Sequence, residues 1–125
     1  MMKNEGKKFS LCDRIKSFKY AFAGLWFIFK STHNAWIHVS AAVLVVVLGF
    51  YFSIGNYEWI ALTLVIGFVM VSEAINTAIE RLVDLTSPEW NEKAGRIKDM
   101  AAGAVLIAAF IAVVVALLVF IPHLL

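Results

Sequence analysis

The sequence predicts an all-α integral membrane protein, a single domain over residues 1–125 with one amphipathic helix and three membrane-spanning helices. Hydrophobic residues make up 62% of the chain and charged residues 16%. Soluble domains contain about 45 to 50% apolar and about 25% charged residues, so both departures indicate contact with lipid. A span needs about 20 apolar residues, and three such stretches fit the chain. This composition excludes an ordinary water-soluble domain.

The first helix is predicted at residues 10–32 and is amphipathic. Its apolar positions recur three and four residues apart, whereas cations occupy the other side. Basic residues opposite large aromatic residues are typical of a helix lying in the membrane interface. The apolar positions are Leu11, Ile15, Phe18, Phe22, Leu25 and Phe29, and the cations are Arg14, Lys16 and Lys19. Residues 1–9 are polar, and we expect no signal peptide in them.

The three spans are predicted at residues 35–54, 59–83 and 101–121. The first two are joined by a turn at Gly55 and Asn56. The third span contains no charged residue.

The segment between the second and third spans is polar. Ser87 is a suitable N-cap and Pro88 a suitable first helical residue, so a short separate helix is expected in this loop.

The basic residues predict the orientation in the membrane. All 11 Lys and Arg residues lie either before His38 or in the segment from Arg81 to Lys98. None lies in the turn between the first two spans or after Ile121. By the positive-inside rule, the N-terminus and the second loop face the cytoplasm, and the C-terminus faces the opposite side.

A polar stripe runs along the second span. Glu73, Asn76, Thr77, Glu80 and Asp84 fall within about 100° of one helix face at 3.6 residues per turn. Glu73 lies roughly 16 Å along the helix from Asp84, which places it inside the hydrocarbon if Asp84 marks the boundary. An acid at that depth costs about 2.5 to 3.5 kcal/mol by insertion scales.

Helix association alone does not account for this stripe. Interhelical hydrogen bonds contribute about 1 kcal/mol, and neutral groups would supply them. The acids therefore indicate chemistry or cation binding: a deep glutamate is a candidate general base, and one near the aqueous boundary can hold Mg²⁺. Lys98 and Arg96 lie on the same predicted side and could neutralise phosphate oxygens.

Two sequence strings resemble a known family. The string from Glu73 to Asp84 reads EAINTAIERLVD, and the string from Ala94 to Ile107 reads AGRIKDMAAGAVLI. Both strings closely resemble the signature of the small prokaryotic diacylglycerol kinase and undecaprenol kinase family. The similarity to this family extends over nearly the whole chain. The resemblance implies a homotrimer in the bacterial inner membrane that transfers the γ-phosphate of ATP to the hydroxyl of a membrane lipid.

The resemblance also implies roles for single residues. Glu73 matches the catalytic base, and Asn76 matches its neighbour that orients the reacting groups. Glu80 matches the carboxylate that binds Mg²⁺ on the nucleotide. Lys98 and Asp99 match the pair that contacts the nucleotide, and Lys16 is assigned to nucleotide binding as well.

The chain departs from the family at one metal-binding position. Thr32 stands where the family usually has a second glutamate, and a hydroxyl is a weaker ligand than a carboxylate. His33 and His38 are about 140° apart around a helix, so we interpret them as interfacial polar residues rather than a ligand pair.

Two other functions stay open from the sequence. A buried glutamate is also expected in a proton- or cation-coupled transporter subunit, although this stripe ends at Glu73 and offers no polar relay across the membrane. Thr32 would also suit an inactive homologue with a role in assembly. The string from Asn34 to His38 resembles the undecaprenol kinase branch more than the diacylglycerol kinase branch. No nucleic-acid partner is expected.

Overall fold

The computed structural model describes residues 8–125, which contain four α-helices and no strand. The helices are α1 (Leu11–Ser31), α2 (His33–Tyr51), α3 (Asn56–Thr86) and α4 (Glu92–Leu124). The predicted all-α fold is confirmed. Residues 1–7, which include two of the eleven basic residues, lie outside the described part of the chain.

The described residues form two compact units, divided after Ser31. The first unit contains α1, and none of its helical residues is buried. Its helix matches the predicted segment at residues 10–32 to within one residue at each end. The placement of α1 in the membrane interface stays a prediction.

The second unit contains α2, α3 and α4, each long and apolar enough to cross a membrane. The helices α3 and α4 have 31 and 33 residues, so each is about 46 to 50 Å long. The hydrocarbon layer is about 30 Å thick, and an average tilt of about 20° leaves more than about 10 Å of each helix outside it. The membrane boundaries at residues 35–54, 59–83 and 101–121 stay predictions.

The antiparallel pair of α3 and α4 has the most extensive helix contact in this unit. Buried residues recur at intervals of seven on both helices, which is the spacing that keeps one seam facing a neighbouring helix. On α4 the repeated residue is alanine, and small side chains let two helix backbones approach closely. The repeated positions are Leu62, Val69, Asn76 and Val83 on α3, and Ala94, Ala101 and Ala108 on α4.

An apolar core lies at the end of the unit where α2 turns into α3. Ile54, Leu62, Val119 and Phe120 form this buried cluster, which joins the turn to the last part of α4. The same end carries a polar contact between side chains, in which Nε2 of His123 lies 3.0 Å from Oε2 of Glu58. Both contacts join the C-terminal part of α4 to the start of α3.

The connection between α3 and α4 differs from the prediction. Ser87 ends α3, since its N–H donates to the carbonyl of Val83 at 2.7 Å, and it does not begin a new helix. Asn91 instead caps α4, because its side-chain oxygen accepts from the N–H of Ala94 at 2.9 Å. The predicted short helix starting at Pro88 is therefore wrong: the loop's helical part is the beginning of α4.

We expect Gly49→Ala to destabilise the protein by about 1 to 3 kcal/mol through overpacking. A Cβ at position 49 would lie 2.5 Å from a ring carbon of Trp59 and 3.1 Å from Ile54. The Trp59 ring packs against the buried cluster that contains Ile54 and also contacts Phe50, with centroids 4.9 Å apart, so a shift of the ring would disturb these contacts. Thermal unfolding in detergent micelles, followed by circular dichroism, measures the effect.

The matched control is Gly67→Ala, since a Cβ there meets nothing within 4 Å. This control is expected to be neutral or to stabilise α3 by up to about 1 kcal/mol, because alanine favours the helix. Equal unfolding midpoints for the two variants would contradict the proposed clash.

Candidate active site

The polar stripe of α3 passes from the interior of the bundle to its surface. Glu73 is 2% exposed, Asn76 5% and Thr77 3%. Glu80 is half-buried, and Asp84 is exposed near the end of the helix. The helix therefore holds three polar side chains inside an apolar unit and brings the stripe to the surface within three turns.

Glu73 has a histidine beside its buried carboxylate. Nε2 of His38 on α2 lies 3.5 Å from Oε2 of Glu73, within ion-pair distance. That oxygen is fully buried and has no hydrogen-bond partner among residues 8–125. Catalytic hydrogen bonds are often long before substrate binds and shorten in the complex.

Two more buried polar atoms share this face. Oδ1 of Asn76 and Oγ1 of Thr77 also have no hydrogen-bond partner within the described residues. An unpaired buried polar group costs about 1 to 3 kcal/mol, and native proteins contain few of them. Three such atoms on one face are typical of a site that water, a ligand or another subunit completes.

Asn76 links the buried part of the stripe to Glu80. Its amide group donates to Oε1 of Glu80 at 2.8 Å, across one helical turn. This contact orients the Glu80 carboxylate at the point where the stripe becomes accessible.

A pair of opposite charges, Asp84 and Lys98, joins α3 to α4 near their connecting loop. Nζ of Lys98 donates to Oδ1 of Asp84 at 2.5 Å, joining the two helices. The next residue, Asp99, is exposed. Arg96 pairs with Glu92 on the same helix at 3.0 Å, and both of those side chains are exposed.

Three other residues singled out from the sequence lie outside the polar stripe of α3. Lys16 is exposed on α1, which belongs to the first unit, and Thr32 is the half-buried N-cap residue of α2. His33 is exposed at the first position of α2. The described residues contain no group of three His, Cys, Asp or Glu side chains that could hold a metal ion by themselves.

Sequence reasoning missed the contact between His38 and Glu73. The signal was present, since one histidine near the start of an apolar helix and one glutamate deep in the next are both costly in a membrane. Their pairing depends on the rotation of α2 against α3, which periodicity within a single helix does not report.

The fold and the site define a small multi-span membrane protein with a buried acid that is continuous with a charged surface. A family model of prokaryotic diacylglycerol kinase matches residues 19–120. The chain belongs to this family of lipid kinases.

Three relatives illustrate the similarity. Undecaprenol kinase from Bacillus subtilis is 38% identical over 109 residues, covering 87% of this chain and 89% of the relative. Diacylglycerol kinase from Synechocystis is 39% identical over 110 residues, covering 87% of this chain but 63% of that longer protein. Diacylglycerol kinase from Escherichia coli K12 is 35% identical over 92 residues, covering 68% of this chain and 75% of the relative.

We expect the pair between Asp84 and Lys98 to contribute only about 0.2 to 1 kcal/mol to stability. The side chains are 55% and 39% exposed, so water and salt screen their attraction. A double-mutant cycle with Asp84→Asn and Lys98→Met, measured by thermal unfolding at low and high salt, gives the coupling energy. A coupling above about 2 kcal/mol that is insensitive to salt would contradict this expectation.

Proposed function

We propose that the protein transfers the γ-phosphate of ATP to the hydroxyl group of a membrane lipid, either undecaprenol or diacylglycerol. The observation that carries the proposal is the buried carboxylate of Glu73, which shares one face with Asn76 and the accessible Glu80. This arrangement offers a proton acceptor at lipid depth and a carboxylate nearer the surface. A transporter subunit is less well supported, since no polar relay continues beyond Glu73 along α3.

Glu73 acts as the general base in this proposal. It accepts the proton of the lipid hydroxyl while the hydroxyl oxygen forms its bond to the γ-phosphorus and the bond to the ADP oxygen breaks. The lipid arrives laterally from the bilayer, and the protein holds both reactants in line, which is the main requirement of phosphoryl transfer. Asn76 orients the reacting groups through its contact with Glu80.

The nucleotide end of the site uses the accessible charges. Lys98 and Asp99 contact the nucleotide in this proposal, and Lys16 is assigned to nucleotide binding by the family resemblance alone. Arg96 lies two residues before Lys98 on α4, where it pairs with Glu92. Lys98 must exchange part of its contact with Asp84 for phosphate oxygens, which is feasible because that pair is partly solvated.

The donor set fits Mg²⁺ that enters with the nucleotide. Mg²⁺ is usually held by one or two carboxylates together with phosphate oxygens and water, so a cage of several acids is not required. Glu80 would supply one carboxylate, which Asn76 already orients, and Thr32 would supply a weaker hydroxyl. The bound ion would neutralise negative charge on the phosphates.

Undecaprenol is the acceptor that we propose to test first. The proposal is supported by the string from Asn34 to His38 and by the relative named undecaprenol kinase, which matches over most of both chains. The test is ATP turnover by the purified protein in mixed micelles, with undecaprenol and diacylglycerol supplied in turn. Phosphorylation of neither lipid would overturn the proposed function.

We also propose a homotrimer in the bacterial inner membrane, with the N-terminus in the cytoplasm and the C-terminus on the opposite side. The unpaired polar atoms around Glu73 support sites completed by a neighbouring subunit. Three helices of one chain enclose little space for two substrates. Chemical crosslinking in micelles tests the subunit number.

We expect Glu73→Gln to abolish lipid phosphorylation while the folded oligomer persists. The amide keeps the shape of the side chain but cannot accept the proton, and loss of a general base typically costs about 10² to 10⁴ in rate. Turnover at saturating lipid and ATP measures the loss, and size-exclusion chromatography checks the assembly. Retention of more than half the activity would remove Glu73 from the mechanism.

We expect Glu80→Gln to raise the Mg²⁺ concentration needed for half-maximal activity, because a hard oxygen ligand is lost. The measurement is a Mg²⁺ titration at fixed ATP, with the wild type and Asp84→Asn titrated in parallel. An unchanged Mg²⁺ dependence in Glu80→Gln would mean that the metal is held elsewhere.

We expect Thr32→Glu to tighten apparent Mg·ATP binding at least several-fold. A gained charge-assisted contact contributes roughly 1 to 3 kcal/mol to the free energy of binding. A carboxylate at position 32, the N-cap of α2, lies two residues after Lys30 and is therefore not costly. The apparent KM for Mg·ATP measures the change, with Thr32→Gln as the uncharged control. If both variants bind nucleotide no better than the wild type, position 32 does not belong to the metal site.

A further inference from the structure

His38 lies beside the buried carboxylate of Glu73 and also lines an apolar groove of the helix bundle. Its side chain is 20% exposed, and the Glu73 side chain that it faces is 3% exposed. His38 is near the start of α2, whereas Glu73 is in the middle of α3, so the contact joins two different helices. An ionisable side chain in this apolar setting needs a partner or a function.

An apolar groove begins at His38. It has a volume of about 190 Å³ and lies between α2, α3 and α4. Its walls are alanine, valine, leucine, isoleucine and methionine residues, and His38 is the one polar residue among those that line it. The imidazole thus faces both Glu73 and a space that can admit a small molecule.

The geometry around Glu73 shows what the imidazole can supply. Oε2 of Glu73 has no hydrogen-bond partner among the described residues, and Nε2 of His38 is the nitrogen that approaches it, at 3.5 Å. A shift of about half an ångström would bring the pair to hydrogen-bond distance. A donor to Oε2 would fix the orientation of the carboxylate, and a fixed carboxylate is better placed to accept the proton of a substrate hydroxyl.

We propose that His38 is a positioning residue for Glu73: its Nε2–H donates to Oε2 and orients the carboxylate toward the lipid hydroxyl. This inference rests on the proposed function, in which Glu73 accepts the hydroxyl proton. The proton transferred from the lipid goes to Glu73, and His38 neither gains nor loses a proton in the step.

The first experiment compares His38→Leu with His38→Gln in the mixed-micelle assay. Leucine fills similar space without a donor, whereas the glutamine amide can donate near the position of Nε2. We expect His38→Leu to lower kcat about 10- to 100-fold with little change in the KM for ATP, because misplacing a reacting group by about 1 Å can cost about 100-fold. His38→Gln is expected to recover at least a third of the wild-type kcat.

The second experiment tests the hydrogen bond by chemical rescue. His38→Ala leaves space next to the groove, so added imidazole should restore turnover several-fold. At about pH 8.5, well above the ordinary histidine pKa of about 6.5, 1-methylimidazole has no N–H to donate and should restore none. His33→Ala, an exposed histidine of the same helix, is the matched control and should keep the wild-type kcat.

The results for the wild type, Glu73→Gln and the His38 variants distinguish the role of His38 from the proposed lipid kinase activity. If the wild type phosphorylates lipid and Glu73→Gln does not, the proposed function stands; full activity of His38→Leu would then overturn the role of His38 alone. Equal losses in His38→Leu and His38→Gln, together with no imidazole rescue, would also overturn it, since they indicate packing. A wild type that phosphorylates no lipid overturns both proposals.

Discussion

The constraint on which the rest of this protein depends is the burial of a carboxylate, that of Glu73, inside an apolar helix bundle. A charged group in such an environment is costly unless protein, water or ligand contacts offset the loss of hydration. The bundle meets this constraint in part. His38 approaches Oε2 of Glu73 at 3.5 Å, but this oxygen and two other buried polar atoms, on Asn76 and Thr77, have no hydrogen-bond partner within residues 8–125. A packing role alone would not require an acid here, and would favour complete hydrogen bonding.

The helices α3 and α4 make this burial possible. Alanine at seven-residue intervals on α4 presents a narrow surface to the seam of α3, in which Asn76 occupies one of the repeated buried positions. Close packing of this kind fixes the rotation of α3, and the rotation decides which way Glu73 points. The same two helices continue toward the charged loop, so one rigid pair carries both the buried acid and the accessible Glu80 and Lys98.

The two ends of the unit that contains α2, α3 and α4 differ in polarity: one end is apolar and closely packed, and the other is charged and partly exposed. At the turn between α2 and α3, an apolar cluster that includes Leu62 and Phe120 packs closely, and Gly49 leaves room for the Trp59 ring. At the other end, Asp84 and Lys98 form a partly solvated pair that can exchange partners at little cost. Close apolar packing therefore lies at the end away from the candidate site, and the partly exposed charges lie beside the site.

Composition and helical periodicity were enough to predict the class of the protein, the order of its long helices and the face of α3 that carries the polar stripe. Composition and helical periodicity are properties of each segment alone, so they can be read without knowing how the segments pack. Three features became visible only in the folded chain: α4 begins at Glu92, Lys98 pairs with Asp84, and His38 lies beside Glu73. These contacts depend on the rotation and axial register of one helix against another. Many side chains acting together set that geometry, and the pattern within a single helix does not contain it.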